Sequence, residues 1–223
     1  MSDSRKGNII KKWFDTNKSS SSNIYNLVNN TRIMNNPKVA LFDMDGTICD
    51  YVGSMKLELD RLRAPNEPRL DPFKIDNDPK YQYLWDRMDL IKSDENWWAN
   101  LPRYTLGFDI LAITKELGYY NEVLTQAPKT NPAALAGKLR WILNNLDADT
   151  DFTMTRNKSR HYGRVLVDDY PGFVLPWLEH RPRGLVIMPS NEYNQGFNHK
   201  QVIIYDGQNK DQVREELIES MRR

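Results

Sequence analysis

The chain has 223 residues, with 31 lysines and arginines against 30 aspartates and glutamates, which gives a formal net charge of +1. This length suffices for one α/β domain with a sizeable insertion. The charge balance argues against global attraction to nucleic acid or anionic membranes, although a local basic groove would not show in the total. No apolar run reaches the length of a membrane span, and the lone Cys49 excludes an intrachain disulfide. We therefore expect a cytoplasmic protein without membrane contact.

Residues 1–36 differ in composition from the rest of the chain. Two stretches rich in serine and asparagine, 19–23 and 29–36, flank a segment that is too short to build a hydrophobic core. We therefore expect residues 1–36 to form a polar N-terminal arm that is mobile or loosely docked.

From residue 37 onward, short apolar runs alternate with helix-like stretches, which is the pattern of βαβ units in a parallel sheet. The predicted strands are 38–42, 121–124, 152–155, 165–167, 184–188 and, at an edge, 201–205. Helices are predicted for 107–117, 132–145, 176–179 and 210–223. Ligands of open parallel sheets bind at the carboxyl ends of the strands, so the residues that follow each strand are candidates for a site.

The first predicted strand ends in Asp43-Met44-Asp45-Gly46-Thr47. Two carboxylates two positions apart, after a buried run and before a turn-forming glycine, contribute little to a core. They suit phosphoryl transfer, because one carboxylate can attack phosphorus and the other can pass a proton to the leaving oxygen. Together the two can also hold the divalent cation that neutralises the phosphate charge.

Residues 52–104, termed the inserted segment, separate this motif from the next predicted helix. The segment is broken by repeated prolines and then becomes rich in aromatic residues, and it contains no run typical of a core strand. Trp97 and Trp98 either belong to the segment's own core or stack on a substrate ring, since adjacent residues cannot both face one core. Tyr51, beside the first carboxylates, is the preferred candidate for a ring that faces the substrate.

Three later strands also end in polar residues, namely Thr125, Lys158 and the pair Asp168-Asp169. The Thr125 hydroxyl and nearby N–H groups could bind a phosphate, and Lys158 could supply a fixed positive charge. Adjacent acids repel each other, so Asp168-Asp169 suits a cation site. Taken singly, these residues are typical of a helix cap, a solvated loop charge and a strand-ending turn. Their order along the sheet favours a functional site.

The four strand ends therefore carry, in order, Asp-x-Asp-Gly-Thr, Thr, Lys and Asp-Asp. This set resembles motifs one to four of the haloacid dehalogenase (HAD) superfamily, whose members are mostly Mg²⁺-dependent phosphatases with a Rossmann-like core. Over residues 38–188 the chain is similar to the 5'(3')-deoxyribonucleotidase family. The shared elements are Asp43 to Gly46 with Tyr51 six residues after Asp45, the segments 125–129 and 155–159, and Trp177-Leu178-Glu179-His180. The chain departs from that family at three positions. Gln126 stands in place of a serine, Asn157 stands in place of an aspartate, and Tyr170 stands in place of a basic residue.

The resemblance implies an α/β fold, with a HAD-like Rossmannoid three-layer core that contains a parallel sheet. Residues 37–51 and 105–223 would form this core. The inserted segment would be a small, mainly helical cap after the first strand, of the kind that closes over HAD active sites and excludes water.

The resemblance also implies roles for the polar residues. Asp43 would be the nucleophile that forms an aspartyl-phosphate, and Asp45 the acid that protonates the leaving alcohol and then the base that activates water. Mg²⁺ would be bound by the Asp43 carboxylate, the backbone carbonyl of Asp45 and one of Asp168 and Asp169. The phosphate would be bound by Thr125, Gln126 and Lys158, and the rest of the substrate by Tyr51, Trp97, Trp98 and Lys129.

The predicted function is that of a Mg²⁺-dependent phosphomonoesterase, specifically a 5'(3')-deoxyribonucleotidase acting on nucleoside monophosphates. A polynucleotide 3'-phosphate, a sugar phosphate or a phosphoprotein are alternative substrates for the same chemistry. A non-catalytic HAD-fold binding module is a second alternative, but a scaffold without activity has no need to keep four mutually repelling acids.

Overall fold

A six-stranded parallel sheet forms the centre of the protein in the computed structural model, which describes residues 38–76 and 78–223. Its strands are β1 (Val39–Phe42), β2 (Tyr120–Gln126), β3 (Phe152–Thr155), β4 (Val165–Val167), β5 (Leu185–Pro189) and β6 (Val202–Tyr205). They lie in the order β3-β2-β1-β4-β5-β6, with every neighbouring pair parallel. The prediction of a parallel α/β sheet with a late edge strand is confirmed. The predicted N-terminal arm lies outside the described residues.

The described helices are α1 (Tyr51–Arg61), α2 (Gln82–Lys92), α3 (Glu95–Ala99), α4 (Thr105–Glu116), α5 (Pro132–Asn145), α6 (Pro171–Glu179) and α7 (Lys210–Arg222). The predicted bounds of α4, α5 and α7 agree with these within two residues. The prediction for α6 is wrong at its start, which lies five residues before Pro176. Pro171 occupies the first helical position, where a proline costs no hydrogen bond, and Pro176 is accommodated inside the helix.

Alternate residues of the strands enter two separate apolar clusters, because successive side chains point to opposite faces of a sheet. On one face, Phe42 packs in a cluster with Trp141 of α5 and Leu217 of α7. On the other face, Leu41 packs in a cluster with Trp177 of α6. Helices therefore cover both faces, which confirms the predicted three-layer core. Within the two described ranges, no helix combines the length and the apolarity that crossing a membrane would need.

The inserted segment contains α2, α3 and nearly all of α1, together with a 3-10 turn at Pro79–Tyr81. Met55 and Leu59 of α1 pack against Met88 and Ile91 of α2, so the segment has a small apolar cluster of its own. Its described part is mainly helical, as expected for an insertion after the first strand.

The inserted segment is packed closely on α5. A Cβ atom at Gly137 of α5 would lie 2.4 Å from the Cβ atom of Trp98 and 2.6 Å from the carbonyl oxygen of Glu95. The indole nitrogen of Trp98 donates to the carbonyl oxygen of Lys92 over 2.8 Å, and Nδ2 of Asn131 donates to the same oxygen over 2.6 Å. Trp98 is therefore held in a fixed position beside the N-terminus of α5.

Candidate active site

Three carboxylates meet at the carboxyl ends of two adjacent strands. Asp43 directly follows β1, and Asp168 and Asp169 follow β4, which is its neighbour in the sheet. The N–H of Asp43 donates to the carbonyl oxygen of Val167 over 2.8 Å, which fixes the two strand ends together. One oxygen from each of the three carboxylates lies within 4.8 Å of the others. Such close carboxylates repel one another unless a cation balances their charge.

The electrostatics of the three carboxylates fit a divalent cation. Burial raises the pKa of Asp168 to about 6. Burial and the neighbouring charges of Asp168 and Asp43 raise the pKa of Asp169 well above its usual range. A compact set of buried carboxylate oxygens is the ligand type that Mg²⁺ prefers, so these residues fit the metal implied by the resemblance.

Lys158 forms ion pairs with two of these acids. Its side chain is 1% exposed, and Nζ lies 2.7 Å from Oδ1 of Asp43 and 2.6 Å from Oδ2 of Asp168. Burial alone would lower the pKa of Lys158, but the charges of Asp168 and Asp43 outweigh burial and raise it. Nζ also lies 4.4 Å from the ring centroid of Phe173, which shields the ion pairs from water. Lys158 is therefore a fixed positive charge beside the nucleophile that the sequence predicts.

A second buried lysine, Lys138 of α5, was not predicted as a site residue. Its Nζ lies 2.5 Å from Oδ2 of Asp45 and donates to Oγ1 of Thr125 over 3.0 Å and to the carbonyl oxygen of Gln126 over 3.2 Å. Burial raises the pKa of Asp45, and the positive charge of Lys138 opposes that rise. A signal was present in the sequence, because Lys138 lies four residues after Ala134 on the apolar face of α5.

Gly46 and Thr47 position Asp169. Gly46 has a φ of +80°, and a Cβ atom there would lie 2.5 Å from Oδ2 of Asp169, so only glycine fits. Oγ1 of Thr47 donates to Oδ1 of Asp169 over 3.3 Å and accepts from the N–H of Asp169 over 3.1 Å. The hydroxyl of Thr47 therefore links the first motif to the acidic pair.

An open cavity of about 1,380 Å³ lies over the strand ends. The predicted site residues that line it are Asp43, Asp45, Tyr51, Trp98, Gln126, Lys129 and Asp169. Thr125, Lys158 and Asp168 are buried and do not line it. Trp97 is not among the lining residues either. Its ring packs edge-on against Tyr51 and Trp98, with centroid distances of 5.6 and 4.9 Å.

Several lining residues had no predicted role. Phe73 of the inserted segment, Phe173 of α6 and the loop residues Asn191 and Tyr193 all contribute to the cavity wall. Phe73 packs against the ring of Tyr193, with a centroid distance of 5.7 Å. These positions could not be inferred from the sequence, because nothing in the composition of the stretch after β5 indicates which residues it contacts.

Neither a protein-family model nor any curated protein matches the sequence. Solved structures do match. A haloacid dehalogenase-like hydrolase from Burkholderia xenovorans is 15% identical, over 81% of this chain and 97% of that chain, with a TM-score of 0.46. A HAD hydrolase of family IA, variant 3, from Entamoeba histolytica is 13% identical, over 83% and 100%, with a TM-score of 0.43. CbbY from Rhodobacter sphaeroides, solved in complex with phosphate, is 10% identical, over 78% and 96%, with a TM-score of 0.42.

Proposed function

We propose that the chain is a HAD-type, Mg²⁺-dependent phosphomonoesterase that forms an aspartyl-phosphate on Asp43. One observation carries this proposal. Asp43 is 5% exposed, contacts Lys158 and lies in an oxygen cluster with Asp168 and Asp169, yet it still lines a cavity open to a substrate. A carboxylate with a purely structural role needs no such access. Buried acids also destabilise a fold, which argues against a non-catalytic scaffold.

The reaction needs two displacements at phosphorus. In the first, an oxygen of Asp43 bonds to phosphorus, and the bond to the leaving oxygen breaks as Asp45 gives that oxygen its proton. In the second, Asp45 takes a proton from water, the water oxygen bonds to phosphorus, and the bond to Asp43 breaks. Lys138 stabilises the carboxylate that Asp45 becomes between these steps. Lys158 forms an ion pair with Asp43 and neutralises phosphate oxygens.

The acidic residues also hold the cation. Mg²⁺, when bound by the carboxylates of Asp43 and of Asp168 or Asp169 and by the backbone carbonyl of Asp45, neutralises negative charge on the phosphate. Thr47 supports this role by holding Asp169 in place.

The single Cys49 is buried and unpaired, which supports a reducing compartment such as the cytoplasm.

A nucleoside monophosphate is the proposed substrate, because aromatic rings line the cavity next to the carboxylates. The ring of Tyr51 stacks on Trp98, with centroids 5.6 Å apart and an interplanar angle of 20°, and contacts Phe73 edge-on at 6.1 Å. Burial and the charge of Asp45 raise the pKa of Tyr51, so its hydroxyl stays neutral. A neutral aromatic surface beside the general acid suits a nucleobase.

The phosphorylated end of a polynucleotide is a second candidate substrate. The cavity of about 1,380 Å³ is larger than the roughly 300–1,000 Å³ typical of small-ligand pockets. Lys129 and Arg156, which are both exposed, also line it and could contact a second phosphate.

Phosphate release from a panel of nucleoside monophosphates, sugar phosphates and 3'-phosphorylated oligonucleotides tests the proposal. Wild type and Asp43→Asn are assayed with Mg²⁺ and with EDTA. We expect Mg²⁺-dependent release by the wild type alone. If no panel member released phosphate, the proposed phosphatase activity would be wrong. If only sugar phosphates released it, the proposal of a nucleotide substrate would be wrong.

A further inference from the structure

The loop of residues 190–194, termed the β5 loop, contacts the acidic cluster. Nδ2 of Asn191 donates to Oδ2 of Asp169 over 3.0 Å. Nδ2 of Asn194, a residue that is 1% exposed, donates to the carbonyl oxygens of Asp169 and Pro189 over 3.2 and 2.9 Å. With Thr47 on one carboxylate oxygen and Asn191 on the other, the orientation of Asp169 depends on the β5 loop.

The same loop contacts the inserted segment through Glu192 and Tyr193. Glu192 forms ion pairs with Lys56 and with Lys74, the latter over 2.6 Å. The hydroxyl of Tyr193 donates to Oδ2 of Asp71 over 2.9 Å. Nζ of Lys56 and of Lys74 lie 5.1 and 5.5 Å from the centroid of the Tyr193 ring. Glu192 and Tyr193 thus connect the inserted segment to the loop that holds Asp169.

Internal hydrogen bonds make the β5 loop a stiff connection. Oδ1 of Asn191 accepts from the N–H groups of Tyr193 and Asn194, over 2.8 and 2.9 Å. In return, Oδ1 of Asn194 accepts from the N–H of Asn191 over 3.0 Å. The carboxamide of Asn191 therefore joins the loop backbone through its oxygen and Asp169 through its nitrogen. A displacement of residues 192–193 would move that carboxamide.

The contacts of the two sides of the inserted segment differ in strength. Against α5, the segment packs through Trp98, which is 4% exposed. Against the β5 loop, it is held mainly by polar and charged groups, with the side chains of Glu192 and Lys74 42% and 51% exposed. The ring contact of Phe73 with Tyr193 adds some apolar packing on this side. Exposed ion pairs are weak and are screened by salt. The side at the β5 loop is therefore the one that separates more easily.

We propose that the β5 loop couples docking of the inserted segment to assembly of the metal site, with Asn191 as a positioning residue for Asp169. When Glu192 and Tyr193 are bound to the segment, Asn191 holds Asp169 in the orientation that binds a divalent cation. When they are released, Asp169 loses this support and the cation is held less tightly. This inference rests on the metal site of the proposed function.

The test measures the affinity of the protein for Mg²⁺ by isothermal titration calorimetry without substrate, so it does not depend on phosphatase activity. Glu192→Ala removes the ion pairs of the β5 loop with Lys56 and Lys74, and Asn191→Ala removes the contact with Asp169. Glu116→Ala is the matched control, because Glu116 forms a similarly exposed ion pair with Arg214 between α4 and α7. Circular dichroism verifies that each variant is folded.

We expect Asn191→Ala to weaken Mg²⁺ binding by about ten- to a hundredfold and Glu192→Ala by about two- to fivefold. The double variant should bind as Asn191→Ala does, because both changes act through one carboxamide. The coupling would be wrong if the losses of Mg²⁺ affinity in the two single variants added up in the double variant. It would also be wrong if Glu192→Ala bound Mg²⁺ as tightly as Glu116→Ala does. Neither result would contradict the proposed metal site. Wild type that binds no Mg²⁺ would overturn both proposals.

Discussion

The ammonium group of Lys138 lies 2.5 Å from Oδ2 of Asp45, while that of Lys158 lies 2.7 Å from Oδ1 of Asp43. The two carboxylates of the Asp-x-Asp motif thus form ion pairs with two different lysines. Lys158 also pairs with Asp168, whereas Lys138 contacts only neutral groups besides Asp45 among the described residues. The charge of Lys138 therefore acts on Asp45 without being shared with a second acid.

Lys138→Met should shift the pH dependence of the reaction. Lys138 lowers the pKa of Asp45, so its removal raises that pKa, and Asp45 stays protonated to higher pH. The falling, high-pH limb of the kcat/KM profile should therefore move up by about 1–2 pH units. Below that limb, kcat should fall about tenfold or more, because in the proposed mechanism Asp45 must ionise to activate water. Lys129→Met, an exposed lysine of the same cavity, is the control; equal profiles for the two variants would contradict the prediction.

Gly46→Ala should abolish activity as well as reduce stability. A φ of +80° costs a non-glycine residue about 1–2 kcal/mol, and a Cβ atom 2.5 Å from Oδ2 of Asp169 would displace that carboxylate. Gly118→Ala is the matched control, because Gly118 also has a φ of +80° but no atom within 4 Å of the added Cβ. Urea unfolding should show a similar backbone cost in both variants, and only Gly46→Ala should lose phosphate release. Full activity of Gly46→Ala would refute the close approach.

Mg²⁺ should stabilise the protein more at pH 7.5 than at pH 5. Burial raises the pKa of Asp168 to about 6 from an ordinary value of 3.8, so the metal-free folded protein binds this proton more tightly than the unfolded chain. The resulting stability is complete below about pH 4 and is lost as the pH rises through 6. Mg²⁺ replaces the proton, so it should raise the Tm by roughly 5–10 °C at pH 7.5 when present at 100 times its Kd.

The measurement for this prediction is differential scanning fluorimetry with Mg²⁺ or EDTA at both pH values. At pH 5 the increase in Tm should be smaller, since protons compete for the carboxylates. Asp168→Asn should reduce the effect of Mg²⁺ at pH 7.5. The prediction fails if Mg²⁺ raises the Tm equally at the two pH values.

Tyr51→Leu and Trp97→Leu should separate substrate contact from packing. Both changes remove one ring of the same edge-on pair, but only Tyr51 lines the cavity. Loss of a base-stacking ring costs about 1–3 kcal/mol, so Tyr51→Leu should raise the KM for a nucleotide by roughly five- to a hundredfold. The KM for a small generic phosphate ester should change little. If Trp97→Leu raised the nucleotide KM by as much, Trp97 would share the substrate role that only Tyr51 is expected to have.

The sheet and the positions of its polar residues could be predicted because buried strands are short apolar runs that end abruptly. Val165 to Val167 followed by Asp168 is such a run, and β4 has those bounds. Lys138 was missed because a single lysine in a helix is usually a surface residue, and its burial depends on which face of α5 packs inward. The contact of Asn191 with Asp169 spans 22 residues and depends on the path of β5, which no local pattern determines.

The absence of a side chain at Gly137 has a consequence for engineering. Because α3 approaches the backbone of α5 so closely there, the inserted segment is not an interchangeable module. A chimera that takes residues 52–104 from another protein would also have to take a matching α5. That helix carries Lys138, so exchanging the segment to alter substrate choice would also replace the ion-pair partner of Asp45, the proposed general acid.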